Sequence, residues 1–317
     1  MTTRPFKQVD VFTAVPFYGN PLAVVLDGAG LSGEQMQRFA QWTNLSETSF
    51  VLQPSAQGAA AGADYRVRIF TPGAELPFAG NPTLGSCHAW LEANADASTA
   101  TGSAPQFFLQ ECALGLIKIR RQSGRLAFAA PALTRSNPSP ALLAQVAAAL
   151  GLETRQIRAA QLLDNGPLWL GLLLDSSATV LQLTPDHLAL KNLGQKVGVA
   201  SVEPAQAATH LIARSNREAR AFAPRAAASA SAGADATDLE VRAFAAPVGV
   251  NEDPVTGSFN ASLAQWLIAD GLAPAHYVAA QGSCLGRAGR VHIEQDRSGQ
   301  VWVGGDCSTC ITGNVNL

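Results

Sequence analysis

The chain has 317 residues, 47% hydrophobic and 15% charged, with 28 Gly, 18 Pro and a formal net charge of −2. That length exceeds one ordinary core and fits two domains of about 150 residues, in a turn-rich globular protein rather than a disordered one. The near-neutral charge, with no Lys/Arg-rich run, argues against nucleic acid as a partner, and the longest apolar run, 168-LWLGLLL-174, is too short to span a bilayer.

The N-terminus, MTTRPFKQVDVFTAV, has no long apolar core followed by a small-residue cleavage site, so a cytoplasmic, non-membrane protein is expected. Five unpatterned cysteines, Cys87, Cys112, Cys284, Cys307 and Cys310, suit reduced intracellular thiols. The lone 307-CSTC-310 supplies at most half of a zinc site.

In chain order, 8-QVDVFTAV-15 and 22-LAVVL-26 read as a hairpin about the turn 16-PFYGNP-21. A helix is predicted over 31–44, with Ser32 and Gln35 at capping-box spacing and Met36, Phe39 and Trp42 at helical intervals. Segment 45-LSETSFVLQ-53 reads as a strand, 55-SAQGAAAGA-63 as a small-residue loop, and 64-DYRVRIF-70 as a strand with alternating apolar residues. After 76-LPFAGNPTLGSCHAWL-91, with a helix expected over 83–95, three antiparallel strands are predicted at 107–111, 114–121 and 125–130. A Pro-rich connector follows, 131-PALTRSNPSP-140, so the boundary falls near Ala130: residues 1–130 form one domain and 131–317 the second, with the last segment free to pack back on the first.

The second half opens with a helix, 141-ALLAQVAAALGL-152, entered through Ser139 and Pro140 and left through Gly151. Strands are predicted at 167–175, 209–214 and 239–244, with 219–238 as an Ala/Ser/Gly-rich surface loop, and a closing hairpin at 290–294 and 301–305. One internal echo organises the whole. Each half runs strand, loop, glycine, helix, with Gly80-Asn81 before Trp90 in the first and Gly257-Ser258 before Trp266 in the second. Two similar halves in this arrangement would aim two helix N-termini at one cleft.

Backbone N–H groups in a helix's first turn lack internal partners and, with the helix dipole, favour an anion such as a carboxylate. Gly80, Asn81, Gly257 and Ser258 are therefore candidate substrate-binding residues, although Asn and Ser are also ordinary helix caps. A carboxylate accompanies each turn: Glu47 in 46-SETSF-50, and Asp253 in 249-GVNEDPVTGSF-259. Facing one another across a cleft, they would raise one pKa and leave one group protonated at neutral pH, an acid/base pair that needs no metal or organic cofactor. Glu47 as a solvent-facing strand residue and Asp253 as an ordinary loop residue are the plainer readings. The histidines have no ligand spacing, His88 reads as a core histidine, and no GxSxG elbow, P-loop or GxGxxG after a strand occurs.

These residues resemble the PhzF family of phenazine-biosynthesis-like proteins. The matches are 9-VDVFTAVPFYGNPLAVVL-26, 45-LSETSFV-51, 69-IFTPGAELPFAGNPTLG-85, 252-EDPVTGSF-259 and 281-QGSCLGRAGRVHIE-294, in order across nearly the whole chain. The resemblance implies an α+β, diaminopimelate-epimerase-like fold of two pseudo-symmetric domains, each a mostly antiparallel sheet wrapped around a central helix, with the active site between them. It implies a homodimer, a small carboxylate as the partner molecule and no cofactor. The family's best-known activity is isomerisation of trans-2,3-dihydro-3-hydroxyanthranilate, in which a glutamate shuttles a proton between ring carbons. The matching position is Glu47, and the family's aspartate matches Asp253. Related epimerases use two thiols, where this chain offers Ala79 and Asp253. The family usually has Gly-His in the first loop, where this chain has Gly80-Asn81; an amide orients a substrate but does not exchange its proton.

The sequence thus points to a cofactor-independent isomerase of a small, cyclic or unsaturated carboxylate, with Glu47 and Asp253 as catalytic residues. The alternatives are an epimerase or dehydratase using carboxylates in place of thiols, and a non-catalytic carboxylate-binding protein.

Overall fold

The computed structural model describes residues 1–94, 106–202 and 237–317. The strand expected at 209–214 and the loop expected at 219–238, save its last two residues, lie outside the described residues.

In the first half, Thr3–Val11 and Asn20–Val25 form the expected antiparallel hairpin. Asn20–Val25 then runs parallel to Glu47–Leu52, which is antiparallel to Tyr65–Phe70, itself parallel to Gln106–Cys112; Gly115–Gln122 and Arg125–Ala129 complete an antiparallel meander. The second half repeats the same succession. Ile157–Asp164 pairs antiparallel with Leu168–Leu174, which is parallel to Val197–Val202; that strand is antiparallel to Leu239–Ala245, which is parallel to His276–Gln281. Gly289–Gln295 and Val301–Gly305 again close an antiparallel meander. The internal echo read from two glycines therefore extends to every step of sheet order.

Each sheet wraps a helix that is buried on nearly all sides, Gly80–Ala93 in the first half and Gly257–Ala269 in the second. Both sequences are mostly apolar or small, as a helix with little solvent face must be. Their polar side chains bond inside the core: Ser86 Oγ lies 2.7 Å from Ser49 Oγ, and Asn260 Nδ2 donates to Thr256 O and Gln281 Oε1, both at 2.9 Å. One continuous apolar core joins Val9, Phe12, Leu84 and Phe128 with Phe259, Leu263, Trp266 and Val303.

The halves also exchange strands. Thr134–Ser136, which follows the first sheet, pairs with Ile157–Asp164 of the second; Cys307–Asn316, which follows the second, pairs along Thr3–Val11 of the first. Arg125–Ala129 and Val301–Gly305 join the sheets edge to edge. The final strand carries 307-CSTC-310 and was not read from sequence, since its Ser, Thr, Gly and Asn content lacks the apolar density of a buried strand.

Local expectations hold at several ends. Ser32 and Gln35 form the reciprocal capping box of Gly33–Thr43, and Pro140–Leu150 is capped by Ser139 and stopped by Gly151 at φ 69°. Three details differ. Trp42 is 79% exposed, stacked on Phe39 at the rim rather than in the core. The stretch 55–63 holds a short helix, Ala56–Ala60, because Ser55 caps it and its alanines favour it. The helix expected from 83 begins at Gly80, so the Gly-Asn-Pro step is its first turn. Among the described residues no helix is long and apolar enough to cross a membrane.

Candidate active site

The two central helices meet at their N-termini. A Cβ on Gly80 would stand 2.6 Å from Gly257 Cα, and one on Gly257 would stand 2.7 Å from Gly80 Cα, so this backbone-to-backbone approach requires glycine on both sides. Neither helix has a side-chain cap: the cap positions are Ala79 and Thr256, and the Thr256 hydroxyl is directed to Asp253 instead. Asn81 and Ser258 thus occupy the second helical position rather than acting as ordinary caps. Two positive helix ends converge on one place.

Beside it lies a small, partly open cavity of about 40 Å³, formed from both halves. Ser46, Glu47, Phe78 and Ala79 line it from the first half; Trp169, Lys196, Asp253, Thr256 and Ser258 line it from the second. Glu47 opens the strand Glu47–Leu52 and Asp253 ends the strand Val250–Asp253, so each acid is delivered by a strand end packed against a helix start. Of the residues predicted from sequence, Glu47, Asp253 and Ser258 reach the cavity directly. Asn81 reaches it through Glu47, donating from Nδ2 to Oε2 at 3.0 Å, while Gly80 and Gly257 form the contact behind it.

Asp253 sits in a dense set of donors. Asn20 Nδ2 donates to its Oδ1 at 2.8 Å, and the Thr256 hydroxyl donates to Oδ2 at 2.6 Å. Gln281 fixes this turn, donating to Asp253 O at 3.0 Å and Thr256 Oγ1 at 2.9 Å while its Oε1 accepts from Thr256 N at 3.0 Å. Next in sequence, Glu252 forms a buried bidentate pair with Arg242, at 2.9 and 2.8 Å, and Arg242 also donates to the carbonyls of Val180 and Leu183. Strand, turn and helix start are thereby held as one unit.

Burial is the main force on both acids. It pushes the Asp253 carboxyl up to about 6, against the pull of the Thr256, Asn20 and Ser46 hydrogen bonds. Burial together with the Asp253 charge pushes Glu47 up to about 8, and only the Asn81 hydrogen bond favours its charged form. Both acids therefore hold a proton more tightly than a free carboxyl does, and Glu47, with the Asp253 charge beside it, is raised further than Asp253. Asn81 suits either state of Glu47. Its Nδ2 donates to the carboxylate, and its Oδ1, buried and without a partner, accepts from the acid if the amide turns over.

Sequence reasoning missed Asn20, Thr256, Gln281, Trp169 and Lys196. Asn20 was legible only as part of a Gly-Asn-Pro turn, whereas it is the first residue of a strand. Gln281, Trp169 and Lys196 come from distant segments and carry no local signal. His88 is half-buried and bonded to Thr309, away from the cavity. A wider groove between Leu114 and Trp302 contains no buried pair of acids. Among the described residues no cluster of His, Cys, Asp and Glu has a metal-binding arrangement.

Comparison with known proteins places this geometry. A family model described as phenazine biosynthesis-like protein matches residues 9–313. The chain is 32% identical to antisense-enhancing sequence 1 of Schizosaccharomyces pombe, over 99% of each chain. It is 38% identical to the trans-2,3-dihydro-3-hydroxyanthranilate isomerase of Pseudomonas aeruginosa, over 58% of this chain and 62% of that one. The PhzF-family phenazine biosynthesis protein of Bacillus anthracis shares the fold, with a TM-score of 0.74 and 20% identity over 100% of both chains. A match that runs almost from end to end, on a fold of two repeated halves, means that the chain belongs to the PhzF family of phenazine biosynthesis-like proteins.

Proposed function

We propose that the protein is a cofactor-independent isomerase that moves a proton within a small cyclic or unsaturated carboxylate, with Glu47 as the group that carries the proton. The observation behind this reading is the shared cavity in which Glu47, with a proton affinity near neutrality, faces Asp253 and two uncapped helix N-termini. As carboxylate, Glu47 breaks one C–H bond and takes its proton; as acid, it returns that proton to another carbon while the double bond shifts. Atoms and electrons balance without a co-reactant. Asp253 holds the pair's negative charge and Asn81 orients Glu47. Gly80 and Gly257 let the helix ends approach, and they with Ser258 receive the anionic group of the substrate.

At about 40 Å³ the cavity is far smaller than the roughly 300–1,000 Å³ of a ligand pocket. Substrate entry therefore requires the cavity to widen. We place the two domains at residues 1–130 and 131–317, with the last segment packed back on the first, in a cytoplasmic homodimer; sedimentation velocity reads the assembly directly.

The test is turnover of trans-2,3-dihydro-3-hydroxyanthranilate in D₂O, followed by proton NMR. An isomerase places label at a new carbon, an epimerase exchanges it at one stereocentre, and a dehydratase releases water. Glu47→Gln should abolish turnover while retaining binding. Unchanged turnover in that variant overturns the mechanism, and binding without turnover in both proteins favours a carboxylate-binding protein.

A further inference from the structure

Lys196 plays no part in the mechanism above, yet it lines the same cavity as Glu47, Asp253 and Ser258. It directly precedes the strand Val197–Val202, and its backbone oxygen is fixed by Leu170 N at 2.8 Å and by Gln195 Nε2 at 2.9 Å. Its ammonium stands 5.0 Å from the centroid of the buried Trp169 ring, a cation–π contact. That indole in turn donates from Nε1 to Ser258 Oγ at 3.2 Å. Lys196, Trp169 and Ser258 therefore form one continuous wall, which ends at the N-terminus of the second central helix.

The wall has a cation without an anion. Among the described residues Lys196 makes no ion pair and its ammonium has no hydrogen-bond partner, while each acid in the cavity has donors of its own. Asp164, the acid whose charge acts on Lys196, is exposed and lies beyond ion-pair distance. Burial lowers the Lys196 pKa to about 8. A half-buried cation of this kind is stabilised when a ligand brings the missing negative charge.

Resting on the functional reading above, we propose that Lys196 is the specificity-determining cation of the cleft. It receives the carboxylate of the ligand against the Trp169–Ser258 wall and so turns the reacting carbon toward Glu47. The cavity then has opposite chemical sides: Lys196 with the helix end sets which charge is admitted, and Glu47 with Asp253 acts on what is admitted. A neutral amide of the same shape leaves Lys196 unpaired and is rejected.

The experiment is calorimetric titration of anthranilate and of anthranilamide, which share a ring and differ at the carboxyl group. The proteins are the wild type, Lys196→Met, which keeps the aliphatic contact with Trp169, Lys196→Arg, which keeps the charge, and Glu47→Gln. The expected result is that the wild type binds anthranilate at least tenfold more tightly than the amide. Lys196→Met should erase that preference by weakening the acid alone, and Lys196→Arg should keep most of it. Glu47→Gln should bind the acid no less tightly than the wild type. A preference that survives in Lys196→Met overturns the role of Lys196 and leaves the isomerase reading intact. A wild type that binds neither probe overturns both the role of Lys196 and the cyclic-carboxylate reading on which it rests. Thermal melting within a few degrees of wild type shows that Lys196→Met has kept the fold.

Discussion

Glu47→Gln should stabilise the protein, and by an amount that grows with pH. In an unfolded chain a glutamate loses its proton near 4.5, whereas burial and the Asp253 charge hold the proton of folded Glu47 up to about 8. A folded pKa above the unfolded one contributes stability that is fully present below pH 4.5 and is lost as pH rises toward 8, because the unfolded chain releases a proton that the folded site retains. Gln matches the protonated acid in shape, accepts the Asn81 hydrogen bond and does not titrate. The advantage of the variant over the wild type should therefore rise between pH 5 and pH 9 by about 4 kcal/mol if the site stays rigid, and by roughly 2 kcal/mol if water enters as Glu47 ionises. At about 2 °C per kcal/mol for a chain of this size, the two melting temperatures should separate by roughly 4–8 °C over that range. Thermal unfolding of both proteins, followed by circular dichroism at matched ionic strength from pH 5 to pH 9, measures this. A difference that stays constant with pH would refute the account of Glu47 as a proton-holding buried acid, whatever the activity data show.

Other perturbations test other links. If the resting enzyme must present Glu47 as carboxylate, kcat/KM should rise about tenfold per pH unit up to pH 8 and then level off; a limb centred near 4.5 would contradict this. Asn20→Ala removes a donor to the Asp253 carboxylate, so the Asp253 pKa should move upward from about 6, displacing any low-pH limb of the same profile to higher pH. Gly257→Ala places a methyl group against Gly80 and Phe12, which should cost about 1–3 kcal/mol in urea denaturation and lower kcat by spreading the helix ends. Arg242→Met strands the buried Glu252 charge, and a loss of about 3–5 kcal/mol is expected from the same measurement.

Much of this architecture was legible because repetition was legible. The two glycine-to-helix steps share a spacing with their tryptophans, and the topology shows why: both are the start of a core helix inside an equivalent sheet. Glu47 stood out as an acid in a segment otherwise fit for the interior, and Asp253 as an acid a few residues before the second helix start, held by Pro254. Their partners were hidden for a physical reason. Asn20, Gln281 and Lys196 lie 27, 234 and 149 positions from Glu47 in the sequence, and only the fold brings the first two to Asp253 and the third to the cavity wall. The closing strand was hidden too, because it is held by pairing along Thr3–Val11, a partner about 300 residues away, and carries few apolar side chains of its own.

That exchange of edge strands bears on how the protein is made. Thr3–Val11 leaves the ribosome long before its partner Cys307–Asn316. Until that partner arrives the first sheet carries an open edge, and the backbone groups along it stand unpaired, an invitation to other nascent chains. Only when Cys307–Asn316 emerges is that edge covered, and Leu317 N beyond it donates to Thr2 O at 3.1 Å. A chain cut before Cys307 would keep Glu47 and Asp253 and still lack the strand that covers this edge.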